Sequence, residues 1–295
     1  MIIGLDVRQL KCVEAVARHR NFTRAAEDIH LSQSAVSQQV SRLEAELGIA
    51  LFERTSRRVI PTEAGSAIAA RARRVLAELD EARQEVDQFR GVLRGRIWIG
   101  PLLRAGDLEV PGLLARFSER HPGIEIGLRE GLADDMLGYL RADEIDAAFC
   151  LLAGEIAEDY ASERLGDDEV VVAFNPGAAP AEERVGVAEL DQHTIVGPRR
   201  GSAVTRALEA RFAEAGIPLR LALESGDPVL LRSLAARGFA AAVLPRSLAE
   251  LEGPTVEVRS LDPPATLAVA LVWRRDRRPP PAAAMFIDFV RREAK

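Results

Sequence analysis

The segment from Ser32 to Gly48 restricts the fold of this chain more than any other feature. Ser32 is a typical helix N-cap, and Gly48 stands where helices often end in a left-handed residue, so one helix is predicted between them. Apolar residues at steps of four, three and four give this helix a buried stripe, formed by Val36, Val40, Leu43 and Leu47. A shorter helix, Thr23 to Ile29 with Asn21 as its cap, precedes it across a three-residue turn. Two helices joined in this way form a helix-turn-helix.

The opposite face of the second helix carries only uncharged hydrogen-bonding side chains. It consists of Gln33, Ser34, Ser37, Gln38 and Ser41. A face that is merely solvated usually carries Lys and Glu, whereas amide and hydroxyl groups both donate and accept hydrogen bonds. Gln can also pair bidentately with adenine, and short serines let the backbone approach the floor of a groove. The pattern therefore favours contact with the base edges of DNA over simple exposure to solvent.

A short hairpin is predicted over residues 50–60, and its turn is surrounded by Arg54, Arg57 and Arg58. Three arginines in an isolated loop would indicate little. Beside a helix-turn-helix, however, a two-stranded wing can place them on phosphates or in the minor groove. We therefore expect these arginines to contact the DNA backbone.

A long helix is predicted to open at Thr62 and to continue to about Leu93. Its apolar residues recur at alternating steps of four and three, a heptad seam, and about 31 residues at 1.5 Å each make a rod of roughly 46 Å. So narrow a seam on so long a helix has no obvious core of its own, and a second copy of the chain is the expected partner. The alternative is that the helix packs on its own domain. The seam residues predicted to dimerise are Ile68, Val75, Leu79, Val86 and Phe89.

From Arg96 onward short strands alternate with helices, which predicts an α/β body with a mainly parallel sheet. The predicted strands are Ile97–Gly100, Ile124–Arg129, Ile145–Leu151, Val170–Phe174, Thr194–Gly197, Leu219–Leu223, Ala240–Leu244 and Thr266–Trp273. The predicted helices are Leu108–His121, Ala133–Arg141, Ser202–Ala215, Pro228–Arg237 and Ala282–Glu293.

Charge is unevenly distributed along the chain. Residues 1–94 carry 15 Lys or Arg against 13 Asp or Glu, whereas residues 95–295 carry 24 against 32. The acidic pI of 5.5 does not exclude nucleic-acid binding, because a few clustered arginines suffice for a local contact. No uncharged run approaches the ~20 residues of a membrane span, and no export signal precedes the first helix, so a cytoplasmic protein is expected.

The chemically reactive residue types do not form catalytic or metal-binding patterns in the sequence. Cys12 and Cys150 make neither a disulfide framework nor a metal cluster, and Cys150 is predicted to be a core residue. The four histidines are scattered without metal-ligand spacing, and no nucleophile–base pair stands out. The sequence therefore predicts a protein that is not an enzyme and uses no cofactor or metal.

The first 65 residues contain several motifs that occur, in the same register, in a known family. They are Asn21-Phe22-Thr23-Arg24-Ala25-Ala26-Glu27, Leu31-Ser32-Gln33-Ser34-Ala35-Val36-Ser37-Gln38-Gln39-Val40, Leu43-Glu44, Leu47-Gly48, Leu51-Phe52-Glu53-Arg54 and Pro61-Thr62-Glu63-Ala64-Gly65. Looser matches follow at Arg116-Phe117, His121-Pro122, Ile145-Asp146-Ala147-Ala148 and from Gly238 to Pro245. The chain therefore resembles the LysR-type transcriptional regulators, strongly at its N-terminus and in outline beyond it.

The resemblance implies a winged helix-turn-helix at residues 1–62, a dimerising linker helix at 63–94 and an α/β effector domain at 95–295. That domain is similar to periplasmic binding proteins, with one lobe at about 95–166 and 267–295 and the other at about 167–266. The implied function is sequence-specific regulation of transcription, modulated by a small molecule bound between the lobes. The implied partners are double-stranded promoter DNA, the effector, further copies of the chain as a homodimer or homotetramer, and RNA polymerase if the protein is an activator. Family members often have proline in place of Ser34 and arginine in place of Gln38, which leaves the preferred bases open.

The effector site is predicted where strands end and helices begin, because such positions favour anions. The candidate residues are Pro101, Leu102, Leu103, Arg199, Arg200, Ser202 and Asp227. They suit a small, partly apolar anionic metabolite. The family typically has a hydroxyl residue in the first of these loops, and this chain has none there. Helix capping by Ser202 and solvated arginines explain the same residues equally well.

Two other functions are compatible with the sequence. The α/β body could be a binding or enzymatic domain whose N-terminal module only dimerises it. Alternatively, the chain could bind DNA without any effector, as a constitutive repressor or an architectural factor, which the missing hydroxyl in the first loop permits.

Overall fold

The computed structural model describes residues 6–54, 59–89, 94–100, 104–105, 108–129 and 135–294. The chain divides into two compact units. The first comprises Met1–Gly95 together with Ala142–Glu144, and the second comprises Arg96–Arg141 and Ile145–Lys295. None of the described helices combines the length and the apolar character needed to cross a bilayer.

The first unit is a helical module with one small hairpin. Its elements are α1 (Val7–His19), α2 (Phe22–Asp28), α3 (Gln33–Leu47), β1 (Phe52–Arg54), β2 (Val59–Pro61) and α4 (Glu63–Phe89). The caps that the sequence predicts are present: Asn21 accepts hydrogen bonds from two backbone N–H groups of α2, Ser32 accepts one from α3, and Gly48 ends α3 with φ of 67°. The predicted helix-turn-helix and wing are therefore both formed.

A single hydrophobic core holds this unit together. Val36, Val40 and Leu43 of α3 are completely buried, and they pack in one cluster with residues of α1 such as Val13 and Val16. The small Ala25–Ala26 pair lets α2 lie close to the same cluster. Ala69 and Ala72 of α4 are also buried, and Ala69 belongs to this cluster.

The linker helix α4 uses its apolar seam in two ways. Ile68 is half-buried and packs against the core of its own unit. Two and three turns further along, Val75 and Leu79 are 44% and 39% exposed. The backbone of α4 is helical through Val86 and Phe89, but their side chains lie outside the described residues. The alternative that the helix packs on its own domain therefore holds for the first turns of α4.

The second unit contains a nine-stranded mixed sheet with helices packed against it. Its strands are β3 (Gly95–Gly100), β4 (Arg104–Ala105), β5 (Leu108–Glu109), β6 (Ile124–Leu128), β7 (Ala147–Leu152), β8 (Tyr160–Phe174), β9 (Arg184–Gly186), β10 (Ile195–Gly197), β11 (Leu223–Glu224), β12 (Ala241–Pro245) and β13 (Glu257–Arg274). Its helices are α5 (Val110–Arg120), α6 (Met136–Arg141), α7 (Val187–Leu190), α8 (Ala203–Glu214), α9 (Pro228–Ala236), α10 (Arg246–Ala249) and α11 (Pro281–Glu293).

The order of strands in the sheet is β11-β10-β12-β8-β13-β7-β3-β6, with β9 paired to β13 and the β4–β5 hairpin apart. β10 runs parallel to β11 and β12, and β3 runs parallel to β7. In contrast, β8 and β13 are antiparallel to each other. β8 is also antiparallel to β12, and β13 is antiparallel to β7. The prediction of a mainly parallel sheet is therefore wrong at its centre, where two long strands run in opposite directions.

Two groups of strands and helices lie at the two ends of β8 and β13. Lobe I contains β3, β6, β7, α5 and α11 around a core that includes Phe117, Phe149 and Phe286. Lobe II contains β10, β12 and α8 around a core that includes Val172, Phe212 and Val243. Three predicted strands differ most from the observed ones: β8 begins ten residues before Val170, β13 begins nine residues before Thr266, and only Leu223 of the segment Leu219–Leu223 is in β11.

Candidate functional site

The exposed face of α3 is the best candidate for a nucleic-acid interface. Gln33, Ser34, Gln38 and Ser41 are exposed and Ser37 is half-buried, while the buried stripe on the other side fixes the orientation of the helix. The side chains of Gln33 and Gln38 have no hydrogen-bond partner among the described residues. The structure thus brings the five predicted base-reading residues onto one face, and their donors and acceptors are neutral.

The start of α3 has a more specific arrangement than the sequence shows. The Ser32 Oγ accepts a hydrogen bond from the backbone N–H of Ala35 at 3.2 Å, and it lies 3.0 Å from the Ser34 Oγ. Ser34 is therefore held against the helix cap, whereas the amide groups of Gln33 and Gln38 extend from the helix with more freedom. The two glutamines are better placed than Ser34 to read bases.

The base of the wing is tied to the two helices beside it. The Glu44 Oε1 of α3 accepts hydrogen bonds from the backbone N–H groups of Leu51 (2.9 Å) and Phe52 (3.2 Å). From the other side, the Thr62 Oγ1 donates to the Ala50 carbonyl at 2.9 Å, and the Thr62 N–H donates to the Leu51 carbonyl at 2.9 Å. These bonds set the direction in which the hairpin leaves α3.

Gly65 allows this close packing. A Cβ at Gly65 would lie 1.9 Å from the carbonyl oxygen of Leu51 and 2.8 Å from its carbonyl carbon. Only glycine therefore lets the first turn of α4 approach the wing so closely. In the sequence, Gly65 stands only in the opening of a predicted helix, and no neighbouring residue indicates its contact with the wing.

The predicted wing arginines are only partly within the described residues. Arg54 ends β1, and its backbone pairs with Val59 of β2. The side chain of Arg54 and the whole of Arg57 and Arg58 lie outside the described residues. Their contact with the DNA backbone stays a prediction.

An ion-pair cluster fixes α2 against α1. The Arg18 guanidinium contacts Glu14 at 3.2 Å and Asp28 at 2.7 Å, and the His19 imidazole lies 3.6 Å from the same Asp28 carboxylate. Burial acts to raise the pKa of Asp28, but hydrogen bonding and charge from Arg18, then from His19, outweigh it and the pKa is lowered. Asp28 is thus held as an anion that stabilises the first helix of the helix-turn-helix.

Arg42 is a further candidate contact, which the sequence motifs do not include. It lies one helical turn beyond Gln38, with its side chain 73% exposed, and its Nε donates to Glu46 at 3.0 Å. The signal in the sequence was its position, four residues after Gln38 and therefore in the same row of the helix. Arg42 extends the candidate surface with one positive charge.

The predicted effector residues of lobe II lie together at one edge of the sheet. β10 and β11 are parallel, so both carboxyl ends reach this edge, and the Ser225 N–H donates to the Gly197 carbonyl there at 3.1 Å. The backbone N–H and the Nε of Arg200 both donate to Glu224, at 2.9 and 3.0 Å. The same two hydrogen bonds lower the pKa of Glu224. Arg199 is exposed and has no acidic partner among the described residues.

The two other predicted lobe II residues act as helix caps. The Ser202 Oγ accepts from the backbone N–H of Thr205 and donates to its Oγ1, both at 3.0 Å, and Ser202 is only 5% exposed. The Asp227 Oδ1 accepts from the N–H groups of Val229 and Leu230, at 2.9 and 3.2 Å. The loop Pro101-Leu102-Leu103 lies outside the described residues. Arg199 is therefore the residue at this edge whose charge is most accessible to a ligand.

Both cysteines have the buried surroundings expected of core residues. Burial raises the pKa of the Cys150 thiol to about 12 and also raises that of Cys12. Among the described residues no group of three or more His, Cys, Asp or Glu side chains could hold a metal ion.

Comparison with known proteins assigns both parts of the chain. Residues 7–66 match the family model described as bacterial regulatory helix-turn-helix protein, lysR family, and residues 90–295 match the LysR substrate binding domain. The RuBisCO operon transcriptional regulator of Allochromatium vinosum is 32% identical over 293 residues, which are 98% of this chain and 97% of that protein. The regulator CfxR of Cupriavidus necator is 31% identical over 92% of this chain and 84% of that protein.

Solved structures of full-length regulators share the fold. A crystal structure of CbnR, a LysR family transcriptional regulator, has a TM-score of 0.69 at 23% identity, covering 99% of this chain and 100% of that one. A full-length OxyR variant from Pseudomonas aeruginosa has a TM-score of 0.71 at 24% identity, covering 98% and 95%. CbnR complexed with its target DNA gives 0.67 at 24%, covering 98% and 99%. The chain belongs to the LysR family of transcriptional regulators: it is a DNA-binding regulator and not an enzyme, with a helix-turn-helix domain and an effector-binding substrate domain.

Proposed function

We propose that this regulator reads promoter DNA through α3 in the major groove, with Gln33 and Gln38 as the main base-reading residues. Ser37 and Ser41 line the same face, and Ser34 supports the cap from which it begins. The observation that carries the proposal is the neutral, exposed hydrogen-bonding surface on a helix whose other side is fully buried. Sequence is read in DNA by such contacts to base edges.

The proposed contacts to the DNA backbone come from Arg54, Arg57 and Arg58 of the wing and from Arg42 of α3. A guanidinium at the rim of a recognition helix suits a phosphate, because its fork of N–H donors matches the phosphate oxygens and the two charges are opposite. The proposed domains are residues 1–62 for DNA binding, 63–94 for the linker and 95–295 for the effector domain.

The proposed assembly is a homodimer through α4, with a dimer of dimers as the larger form. Val75 and Leu79 support it, because they continue the apolar seam after its first turns have become buried in the helix-turn-helix unit. A pair of these helices would place two α3 helices on two half-sites, as dimeric helix-turn-helix proteins require.

The proposed effector is a small anionic metabolite bound at the carboxyl edge of lobe II, with its charge on Arg199. Arg200, Ser202 and Asp227 support that edge through Glu224 and through the two helix caps, and Pro101, Leu102 and Leu103 of lobe I supply the apolar side. The regulator then acts in the cytoplasm on a promoter, and it contacts RNA polymerase where it activates. The name of the relative in Allochromatium vinosum makes a RuBisCO operon a reasonable first target.

The DNA contacts are tested by anisotropy titration of DNA from upstream of the protein's own gene. Three wing arginines and Arg42 in each of two protomers give eight phosphate contacts and a log–log salt slope of about −7. Gln33→Ala and Gln38→Ala should each lower discrimination against a substituted base by about 1–3 kcal/mol, while Gln39→Ala, a half-buried glutamine on the same helix, should not. Equal discrimination in all three variants would contradict the assignment of the reading face.

The effector is tested by a thermal-shift screen of carboxylate and phosphate metabolites on the full-length protein. A compound that raises the unfolding temperature should lose its effect in Arg199→Ala and keep it in Arg237→Ala, an exposed arginine at the C-terminal end of α9. If the compound acts equally on both variants, Arg199 is not in the site. If no anion acts on the folded protein, the constitutive regulator is the better description.

A further inference from the structure

The two strands that join the lobes form a short ribbon of their own. In the register of β8 and β13, Asp168 lies opposite Leu267 and Glu169 lies opposite Thr266. The pairing of β13 with β7 begins at Ala268, and the pairing of β8 with β12 begins at Val170. Among the described residues, the pairs Asp168–Leu267 and Glu169–Thr266 therefore have no third strand beside them.

The ribbon is bounded by irregular pairing on both sides. The register of β8 with β13 shifts between Ser260 and Ala265 and again between Val269 and Ala270. Irregular registers bend a strand and increase its twist, and a two-stranded ribbon has little stability alone. This segment, residues 166–170 with 265–268, is the position at which lobe II could turn against lobe I, and we call it the crossover.

Residues of lobe II form a polar cluster that hydrogen-bonds to the crossover. Asp168 is only 5% exposed, and its carboxylate accepts hydrogen bonds from Ser247, one from the backbone N–H at 3.1 Å and one from the Oγ at 2.5 Å. Ser247 is the second residue of α10, whose N-cap, Pro245, supplies no side-chain hydrogen bond. Asp168 therefore caps α10 from a different element of the fold.

Arg246 adds a second connection beside the first. Its Nε and Nη2 donate to the Glu169 Oε2 at 2.9 and 2.8 Å, and its Nη2 also donates to the Ser260 Oγ of β13 at 2.8 Å. Its Nη1 donates to the Glu250 Oε1 at 2.7 Å. One guanidinium thus joins β8, β13 and the end of α10.

Stability alone does not explain this cluster. Ion pairs that remain partly exposed, as Arg246 and Glu169 do, contribute little to stability, and burying a carboxylate such as Asp168 is unfavourable. What the cluster does provide is a fixed geometry, because five hydrogen bonds join two adjacent residues of the crossover and Ser260 to the start of one helix. That helix follows β12, whose carboxyl end lies at the same edge as the loops at 199–202 and 225–227.

We propose that Asp168, Glu169, Arg246, Ser247 and Ser260 form a clamp that holds the crossover, and with it the two lobes, in one arrangement. Without the clamp the ribbon bends at its irregular registers and the lobes take several relative positions. Only a fraction of the protein molecules then has the geometry that binds the effector. The apparent affinity for the effector is reduced by the same fraction. The clamp goes beyond the proposed effector contacts and does not depend on them.

Hydrogen–deuterium exchange of the full-length protein tests the local part of the proposal. In Arg246→Gln, peptides spanning 166–170 and 265–268 should exchange about tenfold faster, while the rest of both lobes keeps its rate. The matched control is Arg259→Gln, which removes an arginine of β13 next to Ser260 whose side chain donates to Glu257 at 2.7 Å and to the Pro180 carbonyl at 2.9 Å, and not to the clamp. If Arg246→Gln loses its native circular dichroism, Ser247→Ala takes its place as a milder change and should accelerate the same peptides. Wild-type rates at the crossover, or equal acceleration throughout lobe II in both arginine variants, would overturn the proposal.

Spin-label distances test whether the lobes move. Ser118 of α5 and Ala210 of α8 are exposed, one in each lobe, and both native cysteines are buried and resist labelling. Labels at Ser118→Cys and Ala210→Cys, diluted with unlabelled protein so that distances within one chain dominate, should give one narrow distance in wild type and in Arg259→Gln. Arg246→Gln should broaden that distribution or add a second distance. An unchanged distribution despite faster exchange would limit the cluster to a local role and refute the clamp.

Discussion

Replacing Gly65 by alanine tests whether the close approach of α4 to the wing positions the DNA-binding surface. The new Cβ would lie 1.9 Å from the Leu51 carbonyl oxygen, and an ordinary carbon–oxygen contact is about 3.3 Å, so the backbone must separate by about 1.4 Å. The same separation stretches the 2.9 Å hydrogen bond from the Thr62 N–H to the Leu51 carbonyl. The clashing oxygen belongs to the backbone of Leu51, which Glu44 and Thr62 hold from two sides, so it cannot turn away as a flexible side chain would.

The expected loss of stability follows from three contributions. Overpacking costs about 1–3 kcal/mol, and the weakened hydrogen bond costs about 1 kcal/mol. Alanine recovers about 1 kcal/mol because it is a better helix former than glycine. The net destabilisation of the first unit is therefore about 2 kcal/mol, which lowers a urea midpoint by about 1 M at an m-value of about 1.5 kcal/mol/M.

The chain offers separate signals for its two units. Both tryptophans, Trp98 and Trp273, lie in the second unit, so tryptophan fluorescence follows that unit, while far-UV circular dichroism also follows the helical first unit. In Gly65→Ala the circular dichroism transition should move to lower urea and the fluorescence transition should stay. Ser66→Ala, at the exposed neighbouring position of the same helix, is the control and should move neither. Two unchanged transitions, together with wild-type affinity for promoter DNA, would refute the reasoning.

Three further predictions concern assembly, redox chemistry and pH. Val75→Asp should convert the dimer to monomers in light scattering, because it places a charge in the apolar seam, while Glu78→Ala should not; a dimeric Val75→Asp protein would reject the seam. Cys150, with its pKa raised by burial to about 12, should stay unmodified by iodoacetamide at neutral pH until urea unfolds the protein, and alkylation of the native protein would argue against a buried thiol. Burial raises the pKa of Asp168 above its ordinary value of 3.8, so the carboxyl favours folding below that pH and loses this contribution as pH rises through the folded-state pKa. As pH rises from about 4 towards neutrality, the free energy of unfolding measured by fluorescence should therefore fall in wild type relative to Asp168→Asn. If it instead rises in wild type relative to Asp168→Asn, the pKa of Asp168 is not raised by folding.

The helix-turn-helix could be predicted from the sequence because its signals are local. Asn21, Ser32 and Gly48 cap their own helices, and the stripe on α3 needs only a period of about 3.6 residues. The exposed face follows from the same period. The contacts of the wing could not be predicted in this way, because Gly65 meets Leu51 across the whole hairpin, and nothing near Gly65 in the sequence indicates that contact.

The centre of the second unit was missed for a related reason. The first part of β8, from Tyr160 to Glu169, is rich in charged residues and contains Gly166, so its composition argues against a strand. It forms a strand because β13, about 100 residues later in the chain, pairs along it. The acidic residues at 167–169 are accommodated because each accepts a hydrogen bond from its own partner, which is Arg164, Ser247 and Arg246 in that order. Strand pairing over such a distance leaves no periodic trace in either segment.

The heptad seam of α4 is divided between two contacts: its first turns pack on the helix-turn-helix, and its later residues remain exposed. This division affects how α4 can move. Ala69 and Ala72 pack α4 into the helix-turn-helix unit, so the recognition helix cannot turn without α4, and Val75 and Leu79 remain for the proposed partner helix. The 27 residues of α4 make a rod of about 40 Å, so a rotation of about 10° at its far end displaces the other end by about 7 Å. Successive base pairs are only about 3.4 Å apart, so this displacement is enough to move α3 out of register with its half-site. If two copies of α4 pair as proposed, a small change in how they meet is therefore expected to switch DNA binding, without any change within the helix-turn-helix itself.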